Sequence, residues 1–336
     1  MLRVVMTDST FIESREFLQL YRRLYSFLRE AWDMKRVASL KEIHREYLPM
    51  DTRRLLSELK TAAIIIDEIG LKQPTVCAAL LYWTVWKYGV EMSVIRKLFG
   101  TEVELLLKGL MNVNRYSDKK GAVESENYIK LLLSTAEDIR VVFIMIARQL
   151  QLMRDAKGLT RQQRLDLAVE SIYLYAPLSH RLGLYTIKSE LEDLSLKYTD
   201  RERYDFIARK LNETKRSRDQ YIEEFIQPVK ERLDKAGLKY DIKGRTKSIH
   251  SINNKLKKQK IEFESIYDLF AIRVVLDAPP EQEKAHCWQV YSIVTDMYQP
   301  NPKRLKDWLS IPKSNGYESL HITVMGPGSR WVEVQI

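Results

Sequence analysis

Two carboxylates and a group of basic side chains in the last third of the chain are the residues best suited to chemistry. Asp268 stands in "SIYDLFAIRVV" and Glu333 in "WVEVQI". A carboxylate pair of this kind can hold Mg²⁺, an ion that keeps several waters and bridges phosphate oxygens. Arg304, Lys306 and Lys313, with Asp307 between them, fall in "RLKDWLSIPKSNGYESLH". Such cations neutralise charge on a transferring phosphoryl group. Tyr317 follows an Asn315-Gly316 turn and offers a stacking face for a base. Each residue also has a plain structural reading. A lone strand glutamate is usually a solvated edge residue, a tyrosine after Asn-Gly usually packs, and a lysine-rich helix face usually meets water. Their concentration in one short segment favours chemistry.

The elements around them must bring these groups together. "LKYDIKG", "AIRVVLD", "HITVMG" and "WVEVQI" are short, β-branched and partly alternating, so they are predicted strands. In the last, Val332, Val334 and Ile336 share one face, with Trp331, Glu333 and Gln335 on the other. In "HITVMG", Ile322 and Val324 face the core and His321 and Thr323 point away. Asp268 and Arg273 fall on opposite faces under strict alternation, so a bulge or a strand starting after Asp268 is required. In "DIKGRTKSIHSINNKLKKQK" the residues after Gly244 read as helix. Lys247, Ser251 and Lys255 then share one face, and Ile249, Ile252 and Leu256 another. "KAHCWQVYSIVTDMY" is a second predicted helix.

The first two hundred residues are helical in pattern, with Gly70, Gly89 and Gly100 at expected helix ends. The polar stretch Asn112 to Glu126 is predicted as a loop. The organisation expected is a helical domain over 1–198, a helical connector over 199–236 and a mixed α/β domain over 237–336. Of the 336 residues, 55 are Lys or Arg and 45 Asp or Glu, a formal net charge of +10 that favours polyanionic partners. Cys77 and Cys287 lie far apart without metal-ligand spacing, as expected of free thiols in a reducing cytosol. No apolar run approaches the ~20 residues needed to cross a bilayer, and no signal peptide is evident. A cytoplasmic protein is expected, with no membrane partner.

"YDIKGRTKSIHSINNKL", "SIYDLFAIRVV", "RLKDWLSIPKSNGYESLHITV" and "VEVQI" resemble the synthetase domain of the long RelA/SpoT homologues, the stringent-response (p)ppGpp enzymes. The likeness continues through "KLFGTEVELLLKGL", "AEDIRVV" and "YAPLSHRLGLYTIKSELEDLS", and so covers nearly the whole chain. It implies an all-α HD-type domain followed by a polymerase β-like nucleotidyltransferase domain. The reaction implied is transfer of the β,γ-pyrophosphate of ATP to the 3′-hydroxyl of GDP or GTP, with Mg²⁺ as cofactor. Asp268 and Glu333 would be the catalytic metal ligands, Glu333 also a candidate for activating the hydroxyl. Arg245 and Arg273 would hold the adenine and ATP, Lys247 and Lys255 would contact its phosphates, and Ser251 would fix that segment. Tyr317 would stack on guanine, with Lys306, Asp307, Lys313, Asn315 and His321 in the acceptor site. On this basis the chain is expected to stop inside the synthetase domain. The ribosome would be met through C-terminal regions that lie beyond it, and no stable DNA binding is expected.

In bifunctional members of the family the helical domain removes the added pyrophosphate with a metal held by His and Asp residues. Here Tyr82-Trp83 stand where His-Asp belongs, Trp86-Lys87 where Glu-Asp belongs, and Arg148 where a later aspartate belongs. An arginine would repel a cation, and Trp83 and Trp86 are expected to fill the site as core. A degenerate, inactive hydrolase half is expected, although "RLKD" is the basic form that accompanies a working hydrolase in this family. A nucleotide-binding regulatory pseudoenzyme and an RNA-binding module are the alternatives from other function classes.

Overall fold

The computed structural model describes residues 11–47, 52–117, 137–263, 266, 269–313 and 316–336. Asp268, Asn315 and residues 118–126 of the expected loop lie outside them. The chain divides into two compact units, Met1–His180 with Leu184–Ser195 and Arg181–Gly183 with Leu196–Ile336.

The first unit is helical throughout its described residues. Its helices are α1 (Phe11–Arg29), α2 (Met34–Tyr47), α3 (Thr52–Ile64), α4 (Gln73–Tyr88), α5 (Met92–Phe99), α6 (Thr101–Ser117), α7 (Ile139–Arg154) and α8 (Arg161–Glu170). α9 (Ala176–Arg181) and α10 (Tyr185–Thr199) end the helical series of this unit, and the division between units falls within each of them. Gly70 and Gly89 terminate helices in the left-handed conformation, at φ 81° and 66°, where a Cβ would be strained. α4 packs against α3 and α6 and is buried along most of its length, which explains its unbroken apolar sequence. Asn112 to Ser117, expected in a loop, belong instead to α6, because buried Leu106, Leu110 and Val113 continue one helical stripe.

The second unit opens with α11 (Arg201–Glu213) and α12 (Lys215–Lys235), then β1 (Tyr240–Thr246), α13 (Ile249–Gln259), β2 (Phe270–Leu276) and α14 (Pro280–Met297). A two-residue strand, β3 (Lys306–Asp307), and the hairpin β4 (Leu320–Gly326) and β5 (Arg330–Gln335) complete it. The five strands are ordered β1-β2-β5-β4-β3, with β2 and β5 parallel and the other pairs antiparallel. The stretch expected to act as a connector is part of this unit. From α12, Tyr221, Phe225, Val229 and Leu233 join Ile272, Val274, Ile322, Val324, Val332 and Val334 in its core. α14 adds Val290 and Val294. One face of the sheet is thereby covered, and its strand positions alternate with those on the other face.

The helix expected after Gly244 starts later. β1 runs on through Arg245 and Thr246, which pair with Ala271 and Phe270. Ser248 then caps α13, its hydroxyl accepting from the Ser251 backbone N–H at 3.3 Å. Lys247 therefore precedes the helix and does not share a helical face with Ser251 and Lys255. Gly244 is required by packing: a Cβ there would lie 2.6 Å and 2.8 Å from the Cγ2 and Cδ1 of Ile222 on α12.

Candidate active site

Two rows of side chains cross the face of the sheet opposite α12 and α14. Ala271 pairs with Arg245 on one side and Glu333 on the other, and Glu333 pairs with Thr323. In the next row Arg273 lies between Lys243 and Gln335, and His321 lies between Gln335 and Lys306. Because side chains alternate across a strand, this register places Arg245, Glu333, Arg273, His321 and Lys306 on one face. β2 begins at Phe270, and Arg273 lies within it.

Glu333 is the hub. Its Oε1 lies 3.1 Å from His321 Nδ1 and its Oε2 lies 3.8 Å from Lys247 Nζ. Tyr317 Oη lies 2.9 Å from His321 Nε2. A carboxylate can only accept, so in the neutral ring Nδ1–H donates to Glu333 and Nε2 accepts from the Tyr317 hydroxyl. The hydrogen bond from His321, with the nearby Lys247 charge, holds the Glu333 carboxyl below its ordinary range despite burial, which pushes the other way. Arg245 is half-buried, and its guanidinium is held below its ordinary value first by burial and then by the like charge of Arg273. Tyr317 and Glu333 act on it in the opposite sense, so all four groups share one electrostatic neighbourhood. Arg273 Nη2 reaches Gln335 Oε1 at 3.4 Å.

The remaining expected residues divide. Lys313 places its ammonium 3.9 Å from the ring centre of Trp308 and 4.9 Å from that of Tyr317. Gly316 turns the chain at φ 74°, and its N–H returns to the Lys313 carbonyl at 2.8 Å. Ser251 holds the start of α13 through Ser248, and Lys255 follows one turn later on the same helix face. Asp307, expected in the acceptor site, closes a turn: its Oδ1 accepts from the backbone N–H groups of Leu309 at 3.0 Å and Ser310 at 2.8 Å. Trp308 was not singled out from sequence, yet its ring lies 4.5 Å from His321 and 5.8 Å from Tyr317, edge to face in each case. A tryptophan between the predicted cations Lys306 and Lys313 was the available signal.

Two family models match this chain, one described as an HD domain over residues 37–185 and one as a region found in RelA/SpoT proteins over residues 244–336. A GTP pyrophosphokinase of Myxococcus xanthus is 33% identical over 299 residues, covering 88% of this chain and 39% of that protein. The chain belongs to the RelA/SpoT family. Other members similar to it are a guanosine-3′,5′-bis(diphosphate) 3′-pyrophosphohydrolase of Aquifex aeolicus and the bifunctional (p)ppGpp synthase/hydrolase SpoT of Escherichia coli. They are 32% and 34% identical, over 88% and 82% of this chain and 42% and 38% of their own lengths. The chain thus spans about two fifths of these RelA/SpoT relatives. Its fold is the one expected, an all-α HD domain followed by an α/β domain.

In the HD domain, the positions expected to hold a hydrolase metal carry other chemistry. Buried Tyr82 faces Arg148, whose guanidinium lies 5.0 Å from the ring centre. The Trp83 ring lies 4.9 Å from Trp86 and beneath the charges of Arg54 at 4.0 Å and Lys87 at 5.3 Å. Trp86 is 46% exposed and so is not core as expected. It follows Trp83 by three residues and stacks on it from outside, while Tyr82 and Val85 turn inward. His44 is a structural histidine: Nδ1 accepts from the Tyr25 hydroxyl at 2.9 Å and Nε2–H donates to the Leu80 carbonyl at 3.1 Å. Among the described residues no three His, Cys, Asp or Glu converge as a metal-binding group.

Proposed function

We propose that this chain carries a (p)ppGpp synthetase, which transfers pyrophosphate from ATP to the 3′-hydroxyl of GDP or GTP, beside an HD domain without hydrolase activity. The observation that carries this reading is the convergence of Arg245, Lys247, Arg273, Tyr317 and His321 around Glu333, within the segment that matches the RelA/SpoT region.

A Mg²⁺ ion suits the donors: Glu333 stays ionised, and its Oε2 has only the loose contact with Lys247. Glu333 would hold that ion together with Asp268, and the ion would supply charge neutralisation at the phosphates. Arg245, Arg273 and Lys247 bring three cations to the same face, as a polyphosphate donor requires. Their mutual repulsion would be relieved by that ligand. Glu333 suits metal holding and orientation of the hydroxyl better than proton removal, since a carboxylate below its ordinary range is a weak base. Tyr317 and Lys313 offer the acceptor an aromatic face and a cation.

In the HD domain the reading rests on donor chemistry. Tyr82, Trp83, Trp86, Lys87 and Arg148 include no carboxylate or imidazole, and Arg148 puts a positive charge where a divalent cation would sit. ATP and guanine nucleotides are the proposed partners, in the cytoplasm.

The test is product analysis with Mg²⁺, labelled ATP and either GDP or GTP, comparing the chain with Glu333→Gln. Labelled guanosine tetra- or pentaphosphate is expected from the first, with a reduction of at least ~10²-fold in the variant. Equal turnover by the variant would remove Glu333 from the mechanism. Absence of product, with nucleotide binding retained, would favour a regulatory pseudoenzyme. Breakdown of added ppGpp with Mn²⁺ would overturn the reading of the HD domain.

A further inference from the structure

The HD domain contains a cavity of about 190 Å³ among α4, α6, α7 and α8 and the turn that follows α8. Two of its walls carry opposite charges. Arg148 enters from α7, held by its stacking on Tyr82, and Glu170 enters from the end of α8. Arg148 is close enough to offset part of the upward push that burial gives the Glu170 carboxyl, yet the two form no ion pair with each other. Glu170 is half-buried and has no hydrogen-bond partner among the described residues. The rest of the wall is largely aliphatic, including Leu110, Ile144 and Leu174.

Both ions are half-buried, and because they do not touch, each is partly desolvated without the compensation of a contact pair. A ligand of net charge would satisfy one and leave the other opposed. A neutral amide would hydrogen-bond to both but neutralise neither charge. A molecule carrying a carboxylate and a cationic nitrogen would pair ion with ion at each wall, and guanidinium matches carboxylate in two-pronged geometry. An apolar cavity of roughly 150 Å³ accommodates a benzene-sized molecule, so this one has room for a short aliphatic body as well as two small charged groups. We propose that this cavity binds a small zwitterion with an aliphatic side chain, its carboxylate on Arg148 and its ammonium on Glu170. An α-amino acid of valine or leucine size is the simplest member of that class.

Calorimetric titration of the whole chain with L-leucine and L-valine tests this. Saturable binding is expected, with Kd of about 0.1–1 mM. On the unaltered protein, leucine methyl ester lacks the carboxylate and N-acetyl-leucine lacks the ammonium, and each should bind at least tenfold more weakly. Arg148→Gln and Glu170→Gln should each weaken leucine binding at least tenfold, while Trp86→Ala, outside the cavity wall, should leave it unchanged. Since the two analogues are tested on the unaltered chain, misfolding of a variant cannot mimic their result. No saturable heat from either amino acid, undiminished binding of either analogue, or binding of guanosine in their place would overturn the assignment.

Discussion

Replacing Gly244 by alanine tests how β1 is seated on α12. The new Cβ would stand 2.6 Å from Ile222 Cγ2 and 2.8 Å from Ile222 Cδ1, and all three of the nearest heavy atoms belong to that one side chain. Cγ2 sits on the branched Cβ and cannot swing aside without a rotamer change or a helix shift. Overpacking of this kind costs about 1–3 kcal/mol. Gly244 is not in the left-handed region, so alanine also restricts the unfolded chain, which offsets about 0.4–1 kcal/mol. A net loss of about 1–2 kcal/mol is expected, read as a lower urea midpoint at unchanged m-value, or as a fall in Tm of roughly 2–8 °C. Ile222→Ala removes all three clashing atoms. In that background Gly244→Ala should be neutral or stabilising by up to ~1 kcal/mol, giving a coupling energy of about 1–3 kcal/mol. An equal cost in both backgrounds would refute the reasoning and place the constraint elsewhere. Arg245 follows Gly244 directly, so the destabilised variant should also bind ATP less well.

Four further outcomes are expected. His44 is fully buried and neutral, its pKa lowered to about 4 from 6.5, so the unfolded chain binds the extra proton. Stability should therefore fall as pH drops below 6.5, by about 2 kcal/mol at pH 5 and about 3 kcal/mol below pH 4, at ~1.36 kcal/mol per unit; urea titrations of His44→Gln should show a shallower acid limb. His321→Ala removes a bond to a carboxylate whose side chain is only 19% exposed and should cost about 1.5–3 kcal/mol at pH 7. Since the contact holds the Glu333 carboxyl low, that cost should shrink as pH falls below the ordinary carboxylate value of 4.5, while His321→Asn, which keeps a donor near the Nδ1 position, should recover part of it. Trp308→Ala should raise KM for the guanine nucleotide more than for ATP, with Trp308→Phe restoring most of it; equal effects on both substrates would count against its place beside Tyr317 and Lys313.

How far the sequence carried depends on the range of the interactions involved. Alternation in "WVEVQI" and "HITVMG" placed Val332, Val334, Ile322 and Val324 in the core, because period-2 burial is a local property that a covered sheet face enforces. Gly70 and Gly89 marked helix ends because left-handed backbone is written into residue type. The start of α13 was misjudged for a non-local reason. "GRTKSIH" suits a helix, but pairing of Arg245 and Thr246 with β2 competes for those residues, and β2 comes some twenty-five residues later. The same pairing moved Lys247 off the helix face and beside Glu333.

By itself the sequence determined the family, the order of a helical and an α/β domain, and the residue types able to hold a nucleotide. It also put Tyr82, Trp83, Trp86, Lys87 and Arg148, none of them a carboxylate or imidazole, at the positions on which the proposal of an inactive HD half rests. Only the tertiary structure decided how those residues are used. Sheet order set Glu333 between Arg245 and His321, a turn engaged the Asp307 carboxylate, and Trp308 came to rest against His321. α12, which looked like a connector, became the floor of the sheet. The reason is physical: strand neighbours and side-chain contacts are chosen by burial summed over segments far apart in the chain, and no local pattern records that sum.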